Sequence, residues 1–95
     1  MDDTLRKVKQ YLRISHSATD EDILSDINAC LAELRMLGVS NTDPADPLIY
    51  NAIKLKCKIG VTDDPAKAEQ LQERYNGLVA SLQMAEGYRD GGLQG

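Results

Sequence analysis

The chain has 95 residues, 42% hydrophobic and 27% charged, the values of one ordinary small domain, which exclude a wholly disordered chain and a fold with separate cofactor and substrate domains. Eleven Lys plus Arg against fifteen Asp plus Glu leave a net charge of −4, which argues against a free-standing nucleic-acid binder drawing its affinity from phosphate contacts. Apolar runs of a few residues fall far short of the ~20 that span a bilayer, and the acidic start Met1-Asp2-Asp3-Thr4 predicts no secretory signal.

The aromatic residues are four tyrosines, at 11, 50, 75 and 88, with no Phe or Trp. Any core is therefore expected to be aliphatic, able to close a small helical domain with a thin stability margin.

Four helices are predicted. The first spans about Asp3 to Leu12, with Leu5, Val8 and Leu12 on one face and Asp2 and Asp3 where the helix dipole favours negative charge. Ser15 to Ala18 break the pattern as a loop. Thr19 is a predicted N-cap for the second helix, with Asp20, Glu21 and Asp22 in its first turn and Asp22 in an approximate capping-box position. Ile23, Ile27, Cys30, Leu31 and Leu34 make its apolar stripe, Leu24 and Leu37 widen it, and Gly38 suits the position just past its end.

Val39 to Asp46 form a turn-rich connection. Asp46 caps the third helix and Pro47 takes its first position, where the missing N–H costs nothing. Leu48, Ala52, Leu55 and Ile59 form one apolar row and Ile49, Ile53 and Cys57 the next, so this helix is expected to be central and the most buried. Gly60 ends it. Asp63-Asp64-Pro65 repeats the cap-then-proline grammar before a fourth helix with Ala68, Leu71, Tyr75, Leu78, Leu82 and Ala85 at a 3–4 rhythm, stopped by Gly87. The organisation predicted is all-α: a small bundle of about four helices over residues 1–86 and a flexible C-terminal tail over 87–95, where glycine is frequent.

The residues with chemical potential read mostly as structural. His16, the single histidine, sits in a polar loop without a nucleophile or base at a meaningful spacing. Cys30 and Cys57 fall on apolar helix faces, as buried, reduced thiols in a cytosolic protein would. Asp43/Asp46 and Asp63/Asp64 lack the ligand ladder of a calcium loop and precede prolines that open helices, so capping accounts for them. No enzyme, cofactor or metal is expected.

Lys56 stands apart, because it falls between the two apolar rows of the third helix. A charge there snorkels, pairs with a carboxylate, or faces another subunit. Lys54 and Lys58 lie on the polar face, solvated or able to meet a neighbour's acidic loops. Lys54, Lys56 and Lys58 are thus the candidate subunit interface.

The strings VKQYLRIS (Val8 to Ser15) and DEDILSDINAC (Asp20 to Cys30), joined by a polar loop, resemble the N-terminal part of tailed-phage head–tail connector proteins. AIKLKCKIGVTDDPAKAEQLQERYNGLVASLQMAEGYR (Ala52 to Arg89) is similar to the same family, with its apolar-Lys helix, its D-D/E-P turn and its amphipathic last helix ending near Y-R. The resemblance covers nearly all of the chain in the same element order; a departure is the short Val39–Asp46 loop, which lacks the Tyr/Gly-rich stretch of many relatives. The resemblance implies a non-enzymatic virion subunit, assembled in the host cytoplasm into a ring of about twelve copies beneath the portal protein. Such a ring extends the DNA channel, lets double-stranded DNA pass without specific binding, and receives a stopper or tail-completion protein. Tyr88 and Arg89, large side chains before the glycine-rich end, are the candidate portal-docking residues. Two other readings use the same helices: an interaction module unrelated to virions, and a helix-turn-helix regulator, against which the connection between the second and third helices is too long.

Overall fold

The computed structural model describes residues 2–13 and 20–85. They form four α-helices in the order α1 (Asp2–Leu12), α2 (Asp20–Met36), α3 (Pro47–Gly60) and α4 (Pro65–Met84), and no strand occurs among the described residues. Thr19, His16, Gly87, Tyr88, Arg89 and the tail expected over 87–95 lie outside the described residues.

The helix ends follow the local chemistry of the chain. Asp46 Oδ1 accepts from the amides of Leu48 (2.9 Å) and Ile49 (3.4 Å), and Asp64 Oδ1 accepts from Ala66 (3.0 Å), each with proline at the first helical turn. The C-terminus of α2 closes by a Schellman motif. Gly38 lies at φ +91°, its amide donates to Arg35 O (3.1 Å), and the Val39 amide reaches back to Leu34 O (2.9 Å). Val39 and Leu34 are both fully buried, which supplies the apolar contact that accompanies this motif. Asp43 is not a helix cap: its Oδ1 accepts from the Ala45 amide (2.9 Å) inside the connecting loop, an Asx turn preceding the cap at Asp46. At the end of α1, Arg13 takes φ +60°, a left-handed conformation that favours glycine.

α3 packs against α1, α2 and α4, and α1 also touches α2, so α3 is central as expected. It is not more buried than α2, however. Ile49, Ala52, Ile53 and Cys57 are buried, whereas Leu55 and Ile59 are only half-buried and Leu48 is exposed at the start of the helix. All five predicted core positions of α2 are buried, while Leu37 is exposed. On α4 the buried row is Tyr75, Val79 and Leu82, spaced i, i+4 and i+7; Leu71 and Leu78, which the periodicity placed in the stripe, sit at its half-buried margins. The core is aliphatic apart from Tyr75 and the thiols of Cys30 and Cys57. α2 and α3 approach closely at Gly60, where a Cβ would lie 2.8 Å from Asp26 Oδ2. Among the described residues no helix is long and apolar enough to cross a membrane.

Candidate functional site

The three lysines of α3 occupy three different environments. Lys54 turns toward α1. Its ammonium lies 5.2 Å from the Tyr11 ring centroid and 5.0 Å from that of Tyr50, and the Lys7 ammonium lies 5.9 Å from the Tyr50 centroid. These cation–π contacts hold α1 to α3, so Lys54 is half-buried rather than fully solvated. Tyr11, Asn51, Lys54, Leu55 and Leu78 line a shallow depression beside it.

Lys56 points between α2 and α4. Its Nζ lies 3.4 Å from Glu33 Oε1 and 5.2 Å above the Tyr75 ring. The Tyr75 hydroxyl donates to the same Glu33 oxygen at 2.6 Å and lies 3.7 Å from Cys30 Sγ. One cation, one carboxylate, one phenol and one thiol therefore meet where three helices converge. Of the outcomes open to a lysine in an apolar arc, pairing with a carboxylate is realised within the chain.

The electrostatics follow from this geometry. The Tyr75 hydrogen bond, reinforced by Lys56, holds the Glu33 carboxyl below its usual range against the opposing effect of burial. Burial and then the Glu33 carboxylate push the Tyr75 hydroxyl far up, so it remains a proton donor. Burial also raises the Cys30 thiol, and it pushes Cys57 up to about 12. Both cysteines are free and buried, as expected of structural thiols, and neither has the depressed pKa of a nucleophile.

Lys58 faces the start of α4. With Thr62, Lys67, Gln70, Leu71 and Arg74 it lines a groove of about 220 Å³. The Thr62 hydroxyl donates to the Lys58 carbonyl and closes the end of α3 beneath this groove. Lys54 and Lys58, which the helical wheel put on one polar face, thus serve different neighbours. At the other side of the bundle Lys9 lies 2.8 Å from Asp20 Oδ1, tying α1 to the first turn of α2.

Sequence reasoning missed Tyr75 as a polar partner and the groove cations Lys67 and Arg74. The signal for Tyr75 was its hydroxyl: a tyrosine at a core position needs a hydrogen-bond partner. The i, i+7 spacing of Lys67 and Arg74 was visible but uninformative until α3 supplied Lys58 beside them.

This four-helix arrangement, with its connection of turns and its paired cap-proline starts, carries the same element order on which the phage-connector resemblance rests. A protein-family model described as phage connector protein matches residues 4–89, which takes in all of α2, α3 and α4 and most of α1. The chain belongs to the phage connector family. No curated protein and no solved structure matches it. Membership gives the protein a connector role in a phage particle, which is a structural role.

Proposed function

We propose that this phage connector protein is a head-completion adaptor that assembles as a ring of about twelve copies beneath the portal, extends the DNA channel and offers its lower surface to a stopper or tail-completion protein. The observation that carries the reading is the family match over residues 4–89. The net charge of −4 supports a channel wall that lets duplex DNA pass, since a strongly basic lumen would retain it. Lys54, Lys56 and Lys58 stand as the candidate subunit contacts; Lys58 is the strongest of the three, because the other two already have aromatic or carboxylate partners within the protomer. Tyr88 and Arg89 are the proposed portal anchors, as large side chains just before the glycine-rich end. The chain functions without catalysis or cofactor, and assembles in the host cytoplasm before entering the virion.

Light scattering over a concentration series tests the ring: a species near twelve subunits supports it. Removing residues 86–95 is expected to abolish attachment to portal-bearing capsids while leaving the helical circular dichroism intact. Unimpaired attachment would remove Tyr88 and Arg89 from the docking role.

A further inference from the structure

Lys58, Lys67 and Arg74 converge on one groove, and among the described residues none of them has a carboxylate oxygen within 4.0 Å. Elsewhere in the bundle Arg6 and Lys7 pair with Asp3, Lys9 with Asp20 and Lys56 with Glu33, Lys54 lies over two tyrosine rings, and Arg13 and Arg35 are exposed with no carboxylate oxygen within 4.0 Å among the described residues. Like charges gathered around one depression repel one another, and an anionic occupant relieves that repulsion. The floor of the groove is Leu71, half-buried yet not among the residues packed against the core. The groove therefore asks for an anionic segment that also carries an apolar side chain.

The chain itself holds such a segment. The first turn of α2 carries Asp20, Glu21 and Asp22, and Lys9 engages only Asp20. Glu21 and Asp22 are exposed, and neither has a cation within 4.0 Å among the described residues. Leu24, one turn on from Glu21, is among the described residues the other half-buried leucine that does not pack on the core. Glu21 and Leu24 on one face of α2, with Asp22 beside them, thus complement the three cations and Leu71 of the α3–α4 groove.

We propose that the Lys58–Lys67–Arg74 groove of one copy receives the first turn of α2 of a second copy, along its Glu21–Leu24 face. The contact joins two different patches, with Glu21 against the cations and Leu24, one turn on along the same face, against Leu71, while Asp22 adds negative charge at the rim. This deepens the self-assembly reading above and rests on it for the identity of the occupant.

The test uses the full chain at low salt, with sedimentation velocity as the readout. Reversing the groove (Lys58→Glu, Lys67→Glu, Arg74→Glu) is expected to raise the apparent dissociation constant of the oligomer at least about a hundredfold. Reversing the turn (Glu21→Lys, Asp22→Lys) is expected to do the same. An equimolar mixture of the two variants restores assembly, because every contact in the mixture again pairs opposite charges. Added salt weakens the wild-type oligomer and the mixture alike. The milder pair Lys67→Gln and Arg74→Gln, at exposed positions, shifts the equilibrium the same way by less and covers any misfolding of the reversals. Oligomers that survive both reversals, or a mixture that fails to reassemble, overturn this interface and leave the self-assembly reading standing. Duplex DNA binding that disappears in the groove variant while the oligomer persists overturns it in favour of phosphate. A wild-type chain that stays monomeric at every concentration overturns both readings together.

Discussion

Lys56 and Lys58 lie two residues apart on one helix and have opposite fates. Lys56 is enclosed by its own chain, with the Glu33 carboxylate at 3.4 Å and the Tyr75 ring beneath it. Lys58 opens onto a groove where two further cations join it and, among the described residues, no carboxylate oxygen lies within 4.0 Å of the three. Two residues are about 200° of helix, enough to turn from the α2–α4 junction to the outer edge of α4. The first lysine is committed to holding the fold, and the second is the one proposed to meet a partner. A cation's position along a sequence thus says little about its role until the neighbouring helices are in place.

The comparison breaks most visibly at Tyr75, which anchors the enclosed side. It is 2% exposed and its hydroxyl joins α4 to α2 through Glu33 and Cys30. Tyr75→Ala is expected to cost about 3–5 kcal/mol, the usual loss for removing a buried aromatic ring, measured by urea unfolding. Tyr75→Phe keeps the ring under Lys56 and removes only the hydroxyl, so about 1–2 kcal/mol should go. If both variants lose equally, the hydroxyl network and not the ring carries the stability.

The lysines themselves sharpen it. Lys56→Ala forfeits a cation–π contact and a half-exposed ion pair, together about 1–2 kcal/mol. Lys58→Ala breaks no ion pair among the described residues and should stay within about 0.5 kcal/mol of wild type. Equal losses at the two positions, read from the same denaturation curves, would show that Lys58 also has a structural role within the chain. A smaller check uses the thiols. Cys30 and Cys57 are fully buried and both raised above their usual pKa, so alkylation at neutral pH should follow unfolding of the chain and not native exposure.

Much of the fold was legible from the sequence because the signals were local. Asp46-Pro47 and Asp64-Pro65 start their helices where side chain and ring chemistry require, and Gly38 ends α2 where only a residue free to adopt positive φ closes the motif without strain. The stripe of α2 was read residue by residue. On α4 the sequence placed Tyr75 and Leu82 in the stripe correctly but chose Leu71 and Leu78 over Val79, because a 3–4 rhythm permits more than one row and only the position of α3 selects Val79. The site was less legible. A helical wheel revealed that Lys56 was anomalous, but Glu33 and Tyr75 lie 42 residues apart in the chain, and no local pattern pairs them. The groove is a product of two helices meeting at an angle and has no sequence signature.

The smallest expected effect lies in the acid limb of stability, where the two flanks of Lys56 act with opposite signs. Glu33 has a folded pKa below the ordinary 4.5. Its contribution is therefore complete above pH 4.5 and is lost as the pH falls through the lower folded value. Asp26 is raised above the ordinary 3.8, first by burial and then by Asp22, against the attraction of Lys56. Its contribution is present below pH 3.8 and is lost as the pH rises through the higher folded value. On acidification the two changes oppose one another, and the part-exposed setting of Glu33 keeps each below about 1 kcal/mol. Glu33→Gln should therefore flatten the loss of stability between pH 6 and pH 3, and Asp26→Asn should steepen it. Urea midpoints across that range for the two variants would separate the contributions. Parallel curves for all three proteins would mean that Lys56 is held by its apolar surroundings and the Tyr75 ring, with its carboxylate neighbours contributing nothing measurable.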